Sequence, residues 1–102
     1  NGYFFPDSTI PSCAAPLQAF YCPSATLNLS ATVIGNNGRQ AAVAFHVANT
    51  QSLVQTNQAA FDDLGGPFSA FDWGLPFFLG RTVFIGIEGQ PSVLGTGPFF
   101  AF

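Results

Sequence analysis

Two runs of alternating residues on either side of one tight turn constrain this chain more than any other feature. In SATLNLSATVI, residues 24–34, Leu27, Leu29, Ala31 and Val33 recur at period two, and in RQAAVAFHVAN the positions Ala41, Val43, Phe45 and Val47 do the same. Side chains of an extended strand point alternately to opposite faces, so this spacing predicts two strands, each with one face half-buried. Between them Asn36, Asn37 and Gly38 are residues that tolerate the positive φ of a tight hairpin turn. A β-hairpin is the predicted nucleus of a mainly β fold.

The stretch NTQSLVQTNQAAFDDLGG lacks that alternation, and Leu53, Ala60, Phe61 and Leu64 before Gly65-Gly66 predict one or two short helical turns ended by the glycines. RTVFIGIEG is β-branched and aromatic between Gly80 and Gly89, and reads as a nearly all-apolar buried strand. GQPSVLGTG reads as a turn leading to a last apolar strand, PFFAF. Just before these lies DWGLPFFLGR, residues 72–81. Pro76 suits the first turn of a helix and Gly80 its end. This predicts a short, deeply buried helix with Trp73, Phe77 and Phe78 inside.

Cys13 and Cys22, the only cysteines, are close together and bracketed by Pro11, Pro16 and Pro23, which fits a local disulfide. Such a bond implies an oxidising compartment, the periplasm or the cell exterior. The alternative is a pair of buried free thiols in a reducing compartment. Two cysteines alone do not complete a tetrahedral zinc site.

Charge bears on partners. Asp7, Asp62, Asp63, Asp72 and Glu88 stand against Arg39 and Arg81, a net charge of −3 with no basic patch to meet phosphates, so nucleic acid is not an expected partner. No apolar run reaches the roughly 18–20 residues of a membrane-spanning helix. Thirteen Phe in 102 residues with only 7% charged side chains predict an apolar surface that meets a partner. The length suits one small domain or a piece of a larger one, spanning residues 1–102. The absence of an initiator Met and of a charged n-region with an apolar h-region predicts a start inside a longer precursor.

The search for chemistry finds residues whose structural readings outweigh their catalytic ones. His46 falls on the face opposite Val43, Phe45 and Val47, without a metalloprotease or nucleophile-elbow motif to recruit it. Asp62-Asp63 beside Gly-Gly more often caps or solvates a loop than binds a cation. Asp72, set among apolar residues, is expected to be buried and to orient the Gly74 turn or accept backbone N–H groups. Arg81 and Glu88, seven apart on one predicted strand, are expected on opposite faces and unpaired. Asn28-Leu29-Ser30 matches a glycosylation sequon, too common a match to carry weight. GTG at 95–97 lacks the context of a phosphate loop. No cofactor and no catalytic residue is predicted.

NGYFFPDS, FYCP, FDWGLPFFLGRTVFIGIEG and GTGPFFAF, in that order, resemble the C-terminal part of an uncharacterised family of secreted bacterial proteins that itself looks pepsin-like. The resemblance implies a β lobe in which NGYFFPD directly follows the second Asp-Ser-Gly-Ser motif, placing the matching catalytic aspartate just ahead of Asn1. It also implies that Asp72, Trp73, Gly74, Pro76, Phe77, Phe78 and Arg81 form buried support behind a catalytic loop. Asp72 departs from the hydrophobic pair that pepsin-like lobes carry there. Aspartic peptidases need two carboxylates sharing a proton, and no Asp-Thr/Ser-Gly sequence occurs in these 102 residues. The expectation is a non-catalytic, incomplete pepsin-like C-terminal lobe completed by an upstream segment of the same precursor. The alternatives are a structural subunit that assembles with copies of itself into an extracellular filament, and a peptide- or glycan-binding module.

Overall fold

The alternating runs do form a hairpin. A computed structural model describes residues 2–102, and in it β2 (Leu27–Ile34) pairs antiparallel with β3 (Gln40–Val47), Leu27 opposite Val47 and Ile34 opposite Gln40. Val43, Phe45 and Val47 are buried, Leu27, Leu29, Ala31 and Val33 pack half-buried on the same core, and His46 points outward. Of the three turn residues, only Gly38 takes a positive φ, 77°.

The first strand, β1 (Tyr3–Phe5), enters the core as Tyr3 and Phe5. Its partner is β4 (Gly65–Pro67), which runs parallel to it, Tyr3 opposite Gly65 and Phe5 opposite Pro67. Gly65-Gly66 is therefore a strand, not the end of a helix. Gly66 is there because space is absent: a Cβ on it would lie 2.4 Å from the Ala19 carbonyl oxygen and 2.9 Å from the Phe4 ring. The helical turns expected upstream are α1 (Thr50–Leu53) and a 3-10 turn, Val54–Thr56. Asn49 caps α1 by accepting the Ser52 N–H. The segment with Ala60, Phe61 and Leu64 is not helical.

Cys13 and Cys22 are bonded, 2.07 Å between sulfurs, and close a loop whose far end, Tyr21, is wholly buried. In the chain-entropy picture a loop of about ten residues contributes roughly 2–3 kcal/mol by restricting the unfolded chain. Replacing both cysteines by serine is expected to lower the melting temperature by on the order of 10–20 °C in a domain of this size. Thermal unfolding of the two proteins checks this, and a shift of only a degree or two would contradict it.

The remainder departs from the core. A 3-10 turn at Leu75–Phe78 leads to β5 (Phe84–Gly86), which pairs antiparallel with β8 (Phe99–Ala101), while β6 (Pro91–Ser92) and β7 (Gly95–Thr96) make a small hairpin between them. The buried strand expected over RTVFIGIEG is short and open: Phe84 is 54% exposed, Ile85 69% and Ile87 70%. An apolar run marks residues that bury well, but burial needs a second layer, and the described residues place none over this ribbon. Arg81 and Glu88 both lie outside the strand, so the expectation of opposite faces does not apply. The radius of gyration, 16.0 Å, exceeds the ~13 Å of a compact chain of about 100 residues, and the long axis reaches 49 Å. The fold is mainly β: among the described residues there are four two-stranded sheets, with a packed end built on the hairpin and β1 and an open apolar arm.

Candidate functional site

Of the residues singled out in DWGLPFFLGR, Asp72 pairs with β1, and Trp73 and Phe77 pack with the core that β1 enters. Two backbone hydrogen bonds hold Asp72 there: the Phe4 N–H donates to the Asp72 carbonyl at 2.9 Å and the Asp72 N–H donates to the Phe4 carbonyl at 2.7 Å. With β4 along its other edge, β1 is held from both sides. Further donors pin its ends. The Tyr3 N–H meets the Leu64 carbonyl at 2.8 Å, and the buried Tyr21 hydroxyl donates to the Phe5 carbonyl at 2.6 Å while accepting the Asp7 N–H at 3.1 Å.

The side chain of Asp72 is exposed, contrary to the burial expected of it, because its backbone and not its carboxylate faces β1. Its Oδ1 accepts the Gly74 N–H at 2.9 Å. Trp73 is half-buried, its ring centroid 4.7 Å from Phe71, 5.1 Å from Phe77, 5.6 Å from Phe45 and 6.0 Å from Tyr3.

Pro76 and Phe77 are buried as expected, but Phe78 is 52% exposed, which corrects the prediction of a helix buried all round. A single 3-10 turn of four residues has only one inward face, and Phe77 takes it. Arg81 closes the segment. Its Nε donates to the Phe77 carbonyl at 3.0 Å, and its guanidinium carbon stands 4.5 Å from the Phe77 ring centroid and 5.6 Å from that of Phe102. A cation over aromatic faces contributes about 0.5–1 kcal/mol where exposed.

The other titratable groups lie elsewhere. Asp7 accepts the Thr9 hydroxyl and N–H on Oδ1, and these bonds hold its carboxyl below the usual carboxylate range. Burial, then the neighbouring Asp62, pushes Asp63 above it, and the Asp63 carbonyl accepts the Ala48 N–H. His46 lies across the hairpin from Asn28, both exposed. Among the described residues no three His, Cys, Asp or Glu side chains converge as metal ligands would. Among the described residues no helix is long and apolar enough to cross a membrane. The site is thus a brace of aromatic rings and backbone hydrogen bonds around one strand. Sequence reading missed three of its members, Tyr21, Phe45 as the aromatic hub, and Gly66. Of these, only Phe45 carried a signal, its place in the alternating run.

Phe45 deserves its description as hub because its ring meets Tyr3 at 4.9 Å, Phe5 at 5.6 Å, Phe71 at 5.9 Å and Trp73 at 5.6 Å, joining the hairpin, β1 and the 71–73 segment. No curated protein and no solved structure matches the chain significantly. One family model, described as "Protein of unknown function (DUF3443)", matches residues 1–102. Covered by that model from end to end, the chain belongs to the DUF3443 family.

Proposed function

We propose that this chain is the non-catalytic, scaffolding C-terminal segment of a secreted pepsin-like protein, completed by an upstream segment of the same precursor. The observation that carries the reading is β1 held along both edges, by β4 and by Asp72. In the resemblance, NGYFFPD directly follows an Asp-Ser-Gly-Ser motif, so a rigid β1 would fix the position of a loop entering it. Rigid support is what a site requires when reacting groups must be held to within a fraction of an ångström. The Cys13–Cys22 bond supports an oxidising compartment.

Proton sharing between two carboxylates is the chemistry of pepsin-like catalysis, and it requires both motifs. These residues contain neither, so scaffolding is the role left to them. The purified chain is expected to cleave no unfolded protein between acid and neutral pH, and to form an equimolar complex when co-expressed with the upstream segment as a separate polypeptide. Pepstatin-sensitive cleavage by the chain alone would overturn the non-catalytic reading. Failure of the two polypeptides to co-purify would overturn the completed-lobe reading.

A further inference from the structure

We propose that the cleft beyond the ends of β1 and β4 binds an arginine side chain of a partner polypeptide, the Asp7 carboxylate holding its guanidinium and Phe68 lying against its face. The two parallel strands end side by side, at Phe5 and Pro67, tied there by the Phe68 N–H donating to the Phe5 carbonyl at 3.3 Å. Just past these ends lies a cleft of about 570 Å³, within the roughly 300–1,000 Å³ usual for ligand pockets. Buried Tyr21 lies at its base, and Pro6, Pro11, Pro67 and Phe68 give it apolar walls. Phe68 is 57% exposed, so its ring is open to a partner.

Charge, preorganisation and shape select that ligand. Of the residues lining the cleft only Asp7 is charged, so complementarity calls for a cation. Its carboxylate is set in place before any ligand arrives. The Asp7 N–H donates to the Tyr21 hydroxyl at 3.1 Å, and Asp7 Oδ1 accepts the Thr9 hydroxyl at 2.7 Å and the Thr9 N–H at 2.8 Å. Both side-chain bonds fall on Oδ1, which leaves Oδ2 to accept from a ligand. The aromatic and proline walls favour arginine over lysine, because a planar, weakly hydrated guanidinium lies flat on such surfaces while its N–H groups reach a carboxylate. The chain already uses that contact, with the Arg81 guanidinium 4.5 Å from the Phe77 ring centroid. A side chain within a polypeptide is favoured over the free amino acid, since no lining residue carries a positive charge to meet a free α-carboxylate and Asp7 would repel one.

Such binding does not rest on the scaffolding reading, since it is measured on this chain with no upstream segment present. Titration of the purified, isotope-labelled protein with N-acetyl-arginine amide at millimolar concentration is expected to shift the backbone amide resonances of Asp7, Thr9 and Phe68 saturably. Asp7→Asn keeps an Oδ1 that can accept the Thr9 bonds and removes only the charge, so it is expected to weaken binding by about tenfold or more. Phe68→Ala is expected to weaken it by about two- to fivefold. Asp62→Asn removes an exposed carboxylate outside the cleft and is expected to leave binding as it is. The absence of saturable shifts at these amides overturns the proposal, as does an Asp7→Asn protein that binds as tightly as wild type. Equal shifts with N-acetyl-norleucine amide, which has an apolar stem and no guanidinium, overturn the need for a cation. Tighter binding of free arginine than of the capped form overturns the polypeptide source in favour of the free amino acid.

Discussion

Replacing Phe77 by Ala is expected to cost about 3–5 kcal/mol, while the same change at its neighbour Phe78 is expected to cost less than about 1.5 kcal/mol. The difference follows from where the rings sit. Phe77 is 8% exposed and touches Trp73 at 5.1 Å and Phe102 at 5.1 Å, with the Arg81 guanidinium over its face. It joins the packed end to the last residue of the arm. Phe78 is 52% exposed and its ring meets only that of Phe77, at 5.2 Å. Loss of 3–5 kcal/mol is a large share of the roughly 5–15 kcal/mol that holds a small domain folded. Urea unfolding of both variants beside wild type measures the contrast. Equal midpoint shifts would mean that both rings are buried or both are free, and the one-faced turn would be wrong.

That contrast also shows what kind of information a sequence holds. The hairpin was legible because its burial follows a local rule: one face in, one face out, with period two from Leu27 to Val33 and from Val43 to Val47. The disulfide was legible for a similar reason, since nearby prolines keep two cysteines close. Phe77 and Phe78 are identical letters, and only the direction of a single 3-10 turn separates them. The ribbon at Phe84–Gly86 misled in the opposite way. Its composition states that it would bury well, and nothing local states whether a second layer exists to cover it. Tyr21 is the most buried large residue, yet it sits in FYCP with no periodic neighbour to betray it. Its burial comes from closing a hydroxyl bridge between Phe5 and Asp7, a contact visible only in three dimensions.

The least legible element is β4, and it gives the second large effect. Gly-Gly-Pro has poor strand propensity, since glycine is entropically costly to order and proline cannot donate to a ladder. It pairs with β1 because a parallel neighbour there must pass close to other main chain, and only glycine leaves the room. At Gly66 a Cβ would stand 2.4 Å from the Ala19 carbonyl oxygen and 3.2 Å from the Phe20 Cα, both backbone atoms that no rotamer change can move. Gly66→Val must therefore displace β4 or the disulfide loop. Overpacking typically costs 1–3 kcal/mol where side chains can yield and more where they cannot, so a loss of about 3 kcal/mol or greater is expected. The damage should be local at first. The Tyr21 N–H bond to Gly65 and the Phe68 N–H bond to Phe5 run beside the clash, at 2.8 and 3.3 Å, whereas the β2–β3 ladder lies apart from it. Amide hydrogen exchange on Gly66→Val should then show protection lost at Tyr21 and Phe68 before it is lost in the hairpin. Wild-type protection at Tyr21 and Phe68 in the variant would show that β1 does not depend on β4, and the two-sided brace would fall with it.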